Sequence, residues 1–306
     1  MNTDRLINLL AAVALIELML TIGLGARVAD VLAVAKDWRG VVRAFVANYV
    51  LVPGAAAGLL LLFRAHPLVA AGVMIVAACP GAPYAPPFTA LARGRVDRAV
   101  GLMVVLAGSS AVIAPVLLKL LLPLVSGDGQ GGVDSGRMLT TLGLVQFLPL
   151  CLGLAVSACR PGLAQRLSRP LQRLGAVLNL VLFGAILVVQ FPMLAAIQGK
   201  GYAGMIALLT ASAAGGWFLA GGDAAERRTL AITTAVRNVG VGLVIAGGSF
   251  PGTPAVTFTT AYALLQTVVV AAAAYALGRS ATAPAATTTT PAPGSHPGAT
   301  PSASAT

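Results

Sequence analysis

Long apolar runs recur along nearly the whole of this chain, separated by clusters of basic and helix-breaking residues. Several exceed the roughly 18 apolar residues that read as a helix crossing a bilayer. A water-soluble core has no use for so much apolar surface: 58% of the 306 residues are hydrophobic and 9% are charged, against roughly a quarter charged in a soluble domain. The pattern predicts an all-α integral membrane protein of about nine transmembrane helices, near residues 6–26, 44–63, 67–92, 99–125, 138–158, 174–195, 202–220, 229–249 and 255–278. The first run reads as a retained span and not a signal peptide, because Met1 to Arg5 carries no net positive charge and Glu17 interrupts the run.

The net charge of +11 raises the question of nucleic acid. The basic residues lie between apolar runs, and aromatic residues make up only 5% of the chain, too few for a base-stacking platform. Their distribution instead orients the protein, since cytoplasmic loops collect Lys and Arg. With the N-terminus outside, fourteen of the twenty fall on the cytoplasmic side: Arg27, Lys36, Arg39, Arg43, Arg93, Arg95, Arg98, Arg160, Arg166, Arg169, Arg173, Arg227, Arg228 and Arg279. Arg5, Arg64, Lys119, Arg137 and Lys200 face the other way, and Arg237 lies within a span. The C-terminus is then cytoplasmic. Arginine outnumbers lysine seventeen to three in an Ala- and Gly-rich chain, which fits a GC-rich bacterial gene and a bacterial inner (cytoplasmic) membrane. Cys79, Cys151 and Cys159 show no metal or disulfide spacing and read as packing residues.

The Gly-rich segment 126–137 reads as a flexible external loop that divides four spans (1–125) from five (138–279). Residues 280–306 are Ala, Thr, Pro, Ser and Gly almost throughout, a composition that cannot bury a core and predicts a disordered cytoplasmic tail.

Two spans carry interruptions. Residues 79–87, CPGAPYAPP, place four prolines in the middle of the third span, where each removes a backbone donor and crowds the preceding turn. The eighth span carries TTAVRNVG, residues 233–240, with Arg237 near its centre. A charge at that depth costs about 3 kcal/mol on insertion scales, so it faces a cavity, a partner or a structural set of carbonyls. The two interruptions lie five spans apart, in helices of opposite direction, which is the topological mark of an inverted-repeat transporter with a site at the midplane.

At these motifs the chain resembles the bile acid:sodium symporter family over most of residues 6–279. The resemblance rests on Gly23-Leu24, Pro53, Cys79-Pro80-Gly81, Leu91-Ala92-Arg93-Gly94, Pro115, and Arg237-Asn238 with Gly240. It implies a core domain in which the third and eighth spans unwind and cross, a panel of the remaining helices, and alternating access to a small organic anion, bile-acid-like or another organic acid. The cavity candidates are Asn48, Pro80, Gly81, Tyr84, Thr89, Thr233, Thr234, Arg237 and Asn238. The resemblance also implies a sodium ion, but its ligand positions are mostly replaced. Ala85 and Pro86 stand where the family pattern has serine and asparagine, Ala99 and Met103 where it has hydroxyl residues, Thr233 at its glutamate position and Arg237 at its glutamine position. Sodium wants hard oxygen ligands, and a guanidinium beside the vacated site repels it. No other cofactor is implied.

Glu17 is the only carboxylate well inside a span and is a candidate proton site. An enzyme would need a nucleophile with a base, or metal ligands; the histidines are only His66 and His296, and no HExxH, GxSxG or phosphate-loop motif occurs. A non-transporting sensor or scaffold with the same fold is the alternative to a transporter. Nothing in the sequence addresses oligomeric state. A cysteine placed in the 126–137 loop is expected to label from outside the cell and one after residue 280 only from inside; labelling of both from one side would overturn the nine-span topology.

Overall fold

The computed structural model describes residues 3–126 and 134–281, and the described chain is helical throughout. Most of the expected external loop, residues 127–133, and the expected tail from residue 282 lie outside the described residues. In chain order the helices are α1 (Thr3–Gly25), α2 (Val28–Lys36), α3 (Trp38–Phe63), α4 (Pro67–Ala78), α5 (Ala85–Leu91), α6 (Val96–Ser126), α7 (Ser135–Cys159), α8 (Pro161–Ala195), α9 (Gly199–Leu219), α10 (Ala224–Ala235), α11 (Val239–Ser249) and α12 (Pro254–Ser280). Single π-helical turns interrupt α3 at Val46–Leu51 and α7 at Gly143–Phe147.

Eight stretches are long and apolar enough to cross a membrane, with α10 and α11 forming one of them, and α4 is a shorter apolar helix. The ninth expected span is the pair α4 and α5, split where the prolines stand. Several helices start earlier than hydropathy predicts. α8 begins at Pro161 rather than near residue 174, and its 35 residues reach about 52 Å at 1.5 Å per residue, longer than the roughly 30 Å hydrocarbon layer. The extra turns carry Arg166, Arg169 and Arg173, all exposed, and such turns persist in the aqueous interface, where a hydropathy window cannot register them. Likewise α7 starts inside the expected loop because Asp134 caps it, its Oδ1 accepting from the amides of Gly136 (3.1 Å) and Arg137 (3.0 Å).

The helices sort into two packed groups. In one, α1 lies against α7 and α8. At the α1–α7 crossing Gly23 meets Gly153 so closely that a Cβ on either would overlap the opposite backbone, which is the close approach small residues give between helices in lipid. In the other, α4 packs on α6 and α12, α9 on α3 and α10, and α5 on α6, α10 and α12. α11 touches both groups, contacting α1 as well as α4 and α12.

The second group is tied at its arginine-rich end. Arg98 at the start of α6 donates to Asp37 Oδ2 (2.6 Å) and pairs with Glu226 of α10, while Arg95 pairs with Asp223 (2.8 Å) and its amide donates to Thr229 Oγ1 (2.7 Å). The Arg98 guanidinium, and then the Gly40 amide, hold the Asp37 carboxyl below the usual carboxylate range. A lowered folded-state value means that this pair contributes stability above the unfolded value near 4 and loses it as pH falls through the lower folded value. Asp37→Asn is therefore expected to lower the melting temperature in detergent at pH 7, and the gap from wild type should close as the pH drops below about 4. A gap independent of pH would refute the charge contribution.

Candidate functional site

The first break follows from Pro80. A proline disfavours helical geometry in the residue before it, and Cys79 leaves the helix at φ −110°, ψ 79°. Gly81 then turns at φ +80°, where a Cβ would also overlap the Ala107 backbone of α6. Pro86 sits in the first turn of α5, where its missing amide costs nothing. The second break has no proline. α10 ends as Val236 extends to φ −82°, ψ 114°, and Asn238 opens α11 by accepting from the Val241 amide at 3.3 Å.

The two extended segments meet. The Asn238 amide donates to Cys79 O at 2.8 Å and its side-chain amide donates to Gly81 O at 3.2 Å. Arg237, 1% exposed, reaches across to the end of α4. Its Nε donates to Val76 O (3.2 Å), one terminal nitrogen to Ala77 O, and the other to Asn48 Oδ1 (2.7 Å) and Thr234 O (3.5 Å). Val76, Ala77 and Thr234 supply the last carbonyls of α4 and α10, and each helix end carries about half a negative charge. The guanidinium sits where these two negative ends converge. Asn48, held by the π-turn of α3, donates in turn to Ala44 O (2.9 Å) and Thr234 Oγ1 (3.4 Å).

The backbone of the second break is completed from α12. Gln266 accepts from the Arg237 amide at 3.0 Å and donates to the Arg237 carbonyl at 3.1 Å. Sequence reading missed Gln266, although an amide inside a 27-residue apolar helix is itself a flag for a functional or bracing role. It also missed Tyr49, whose hydroxyl donates to Leu106 O (3.0 Å), and Gln146, which donates to Ala107 O and Ser110 Oγ (2.7 Å).

A family model described as the sodium bile acid symporter family matches residues 12–197, more than half of the chain. The chain belongs to that family. The matched stretch, from α1 into the end of α8, includes the first break and stops before the second, so it is narrower than the resemblance read by eye. No curated protein matches the chain.

Within this symporter-family chain the candidate residues separate into two sets. Asn48, Thr234, Arg237, Asn238 and the backbone of Gly81 come together at the crossing, and Pro80 shapes it. Thr89 and Thr233 are buried nearby, but their hydroxyls donate to carbonyls of their own helices, Ala85 O at 2.8 Å and Thr229 O at 2.9 Å. Tyr84 is 44% exposed. Glu17 lies on the α1–α8 seam, and its hydrogen-bond partner is Thr21, not Arg237.

Gln266→Leu is expected to lower the melting temperature markedly. It strands a buried donor and a buried acceptor of Arg237, each worth about 1–3 kcal/mol when unpaired. A variant as stable as wild type would show that another group completes the break.

Proposed function

We propose that this protein is a secondary transporter that moves a small organic anion by alternating access, and that Arg237 acts as a tethered cation in place of a coupling sodium ion. The observation that carries the reading is the guanidinium clamped between the carbonyl ends of α4 and α10. In transporters with broken helices, such half-helix C-termini are where a coupling cation binds. Here the oxygens that would face a cation, Val76 O, Ala77 O, Asn48 Oδ1 and Thr234 O, already accept from Arg237. These residues do not fit a sodium ion. A permanent positive charge at the crossing favours an anionic substrate, since binding one offsets part of the cost of burying the arginine. α1, α7 and α8 form the panel that the substrate path runs beside, and α3 to α6 with α9 to α12 form the core. The split of basic residues supports an outside N-terminus and a cytoplasmic C-terminus in a bacterial inner membrane.

The test is uptake into proteoliposomes of labelled cholate and a panel of organic acids, in sodium and in choline buffers at matched pH and potential. Equal uptake in the two buffers is expected, and a steep sodium requirement would sink the tethered-cation reading. Failure to move or exchange any solute would favour the sensor or scaffold.

Two variants separate charge from bracing. Arg237→Met should abolish transport and lower stability by about 3–5 kcal/mol, as removal of one partner from a buried polar set does. Arg237→Lys keeps the charge but cannot span Val76, Ala77 and Asn48 together, so a reduced melting temperature with residual sodium-independent transport is expected.

A further inference from the structure

Glu17 stands in the middle of α1 with 7% of its surface exposed. Its Oε1 accepts from Thr21 Oγ1 at 2.7 Å, and its Oε2 has no hydrogen-bond partner among the described residues. The carboxyl is seated against α8 on Gly175, where a methyl group would overlap both oxygens. Gly175 is therefore a notch that only glycine leaves open. The nearest polar side chain of α8, Asn179, turns back to donate to Gly175 O at 2.8 Å and offers nothing to the acid.

The charged groups on the helices packed against α1 lie elsewhere. α7 carries Arg137, and α8 carries Arg166, Arg169 and Arg173, all exposed; α11 has no charged residue. None of them makes an ion pair with Glu17 among the described residues. Tyr84, from the first break, is the titratable group that lies within electrostatic reach. Asp37, Asp223 and Glu226 all have arginine partners, whereas Glu17 has a hydroxyl and a glycine. An ionised carboxylate in so apolar a seam would stand without counter-charge or second donor, a costly arrangement.

We propose that Glu17 on its Gly175 notch is a proton-binding site: a proton from water forms an O–H bond at Oε2 when α1 closes on α8, and the same proton returns to water when the seam opens. The neutral acid packs in the closed seam, and the carboxylate requires the wetted one. Occupancy of the site thus biases the α1–α8 contact. Its use in driving solute movement rests on the transport reading above, but the occupancy itself does not.

The experiment needs no substrate. Infrared spectra of the full-length protein in lipid nanodiscs, recorded in H2O and D2O at neutral pH, should contain a deuterium-sensitive protonated-carboxyl band that is lost in Glu17→Gln. It should also be lost in Gly175→Ala, which expels the carboxyl from the notch. Hydrogen exchange of α1 and α8, corrected for intrinsic rates, should speed up several-fold from pH 6 to pH 9 in wild type and stay flat in Glu17→Gln. Identical carboxyl bands in wild type and Glu17→Gln would overturn the site. A band that is lost on mutation, with equal pH response of exchange in both proteins, would overturn its link to the seam. A sodium-dependent or inactive protein in the uptake assay would count against the transport reading alone.

Discussion

Backbone amides and carbonyls at membrane depth find no water, so each must be paired within the protein. Everything at the centre of this molecule answers to that constraint. Two helices stop half-way, and the groups they release are satisfied across the crossing: Asn238 N to Cys79 O, Gln266 to both sides of Arg237, and the Arg237 guanidinium to the ends of α4 and α10. The arginine tolerates burial because it is surrounded by acceptors, and the acceptors tolerate burial because the arginine is there. Neither half of the crossing is viable without the other.

The same requirement explains how the crossing is supported from outside. α3 brings Asn48 to the guanidinium, and α12 brings Gln266 to the backbone behind it. At the arginine-rich end, Arg95 and Arg98 tie α6 to the start of α10 and to the residue before α3. Helices carrying both breaks are thereby joined into one body, while α1, α7 and α8 pack as a separate layer.

Much of this was legible in the sequence, and the boundary of legibility is physical. The apolar runs gave the spans, since lipid selects composition directly. Four prolines within residues 79–87 announced the first break, and the buried charge of Arg237 announced the second. The partners of Arg237 were not readable, because Val76 and Ala77 contribute only carbonyls and every residue has one. Gln266 comes from a helix 29 positions away, and no local pattern links it to the break. The early starts of α7 and α8 were hidden because a helix continues into water without an apolar signature. Thr89 and Thr233 looked like cavity residues by position, yet their hydroxyls return to their own helices, a choice that depends on rotamer and not on sequence.

The π-turns in α3 and α7 have an evolutionary reading. Each is the trace that a single inserted residue leaves in a helix that otherwise keeps its path. The turn at Val46–Leu51 carries Asn48 and Tyr49, and that at Gly143–Phe147 carries Gln146. Removing one residue from either would let the helix relax to regular winding while rotating everything on one side of it by about 100° relative to the other. Lineages that bear these insertions are held to them, because the amides and the phenol that reach α6 and the crossing have been aimed by the irregularity itself.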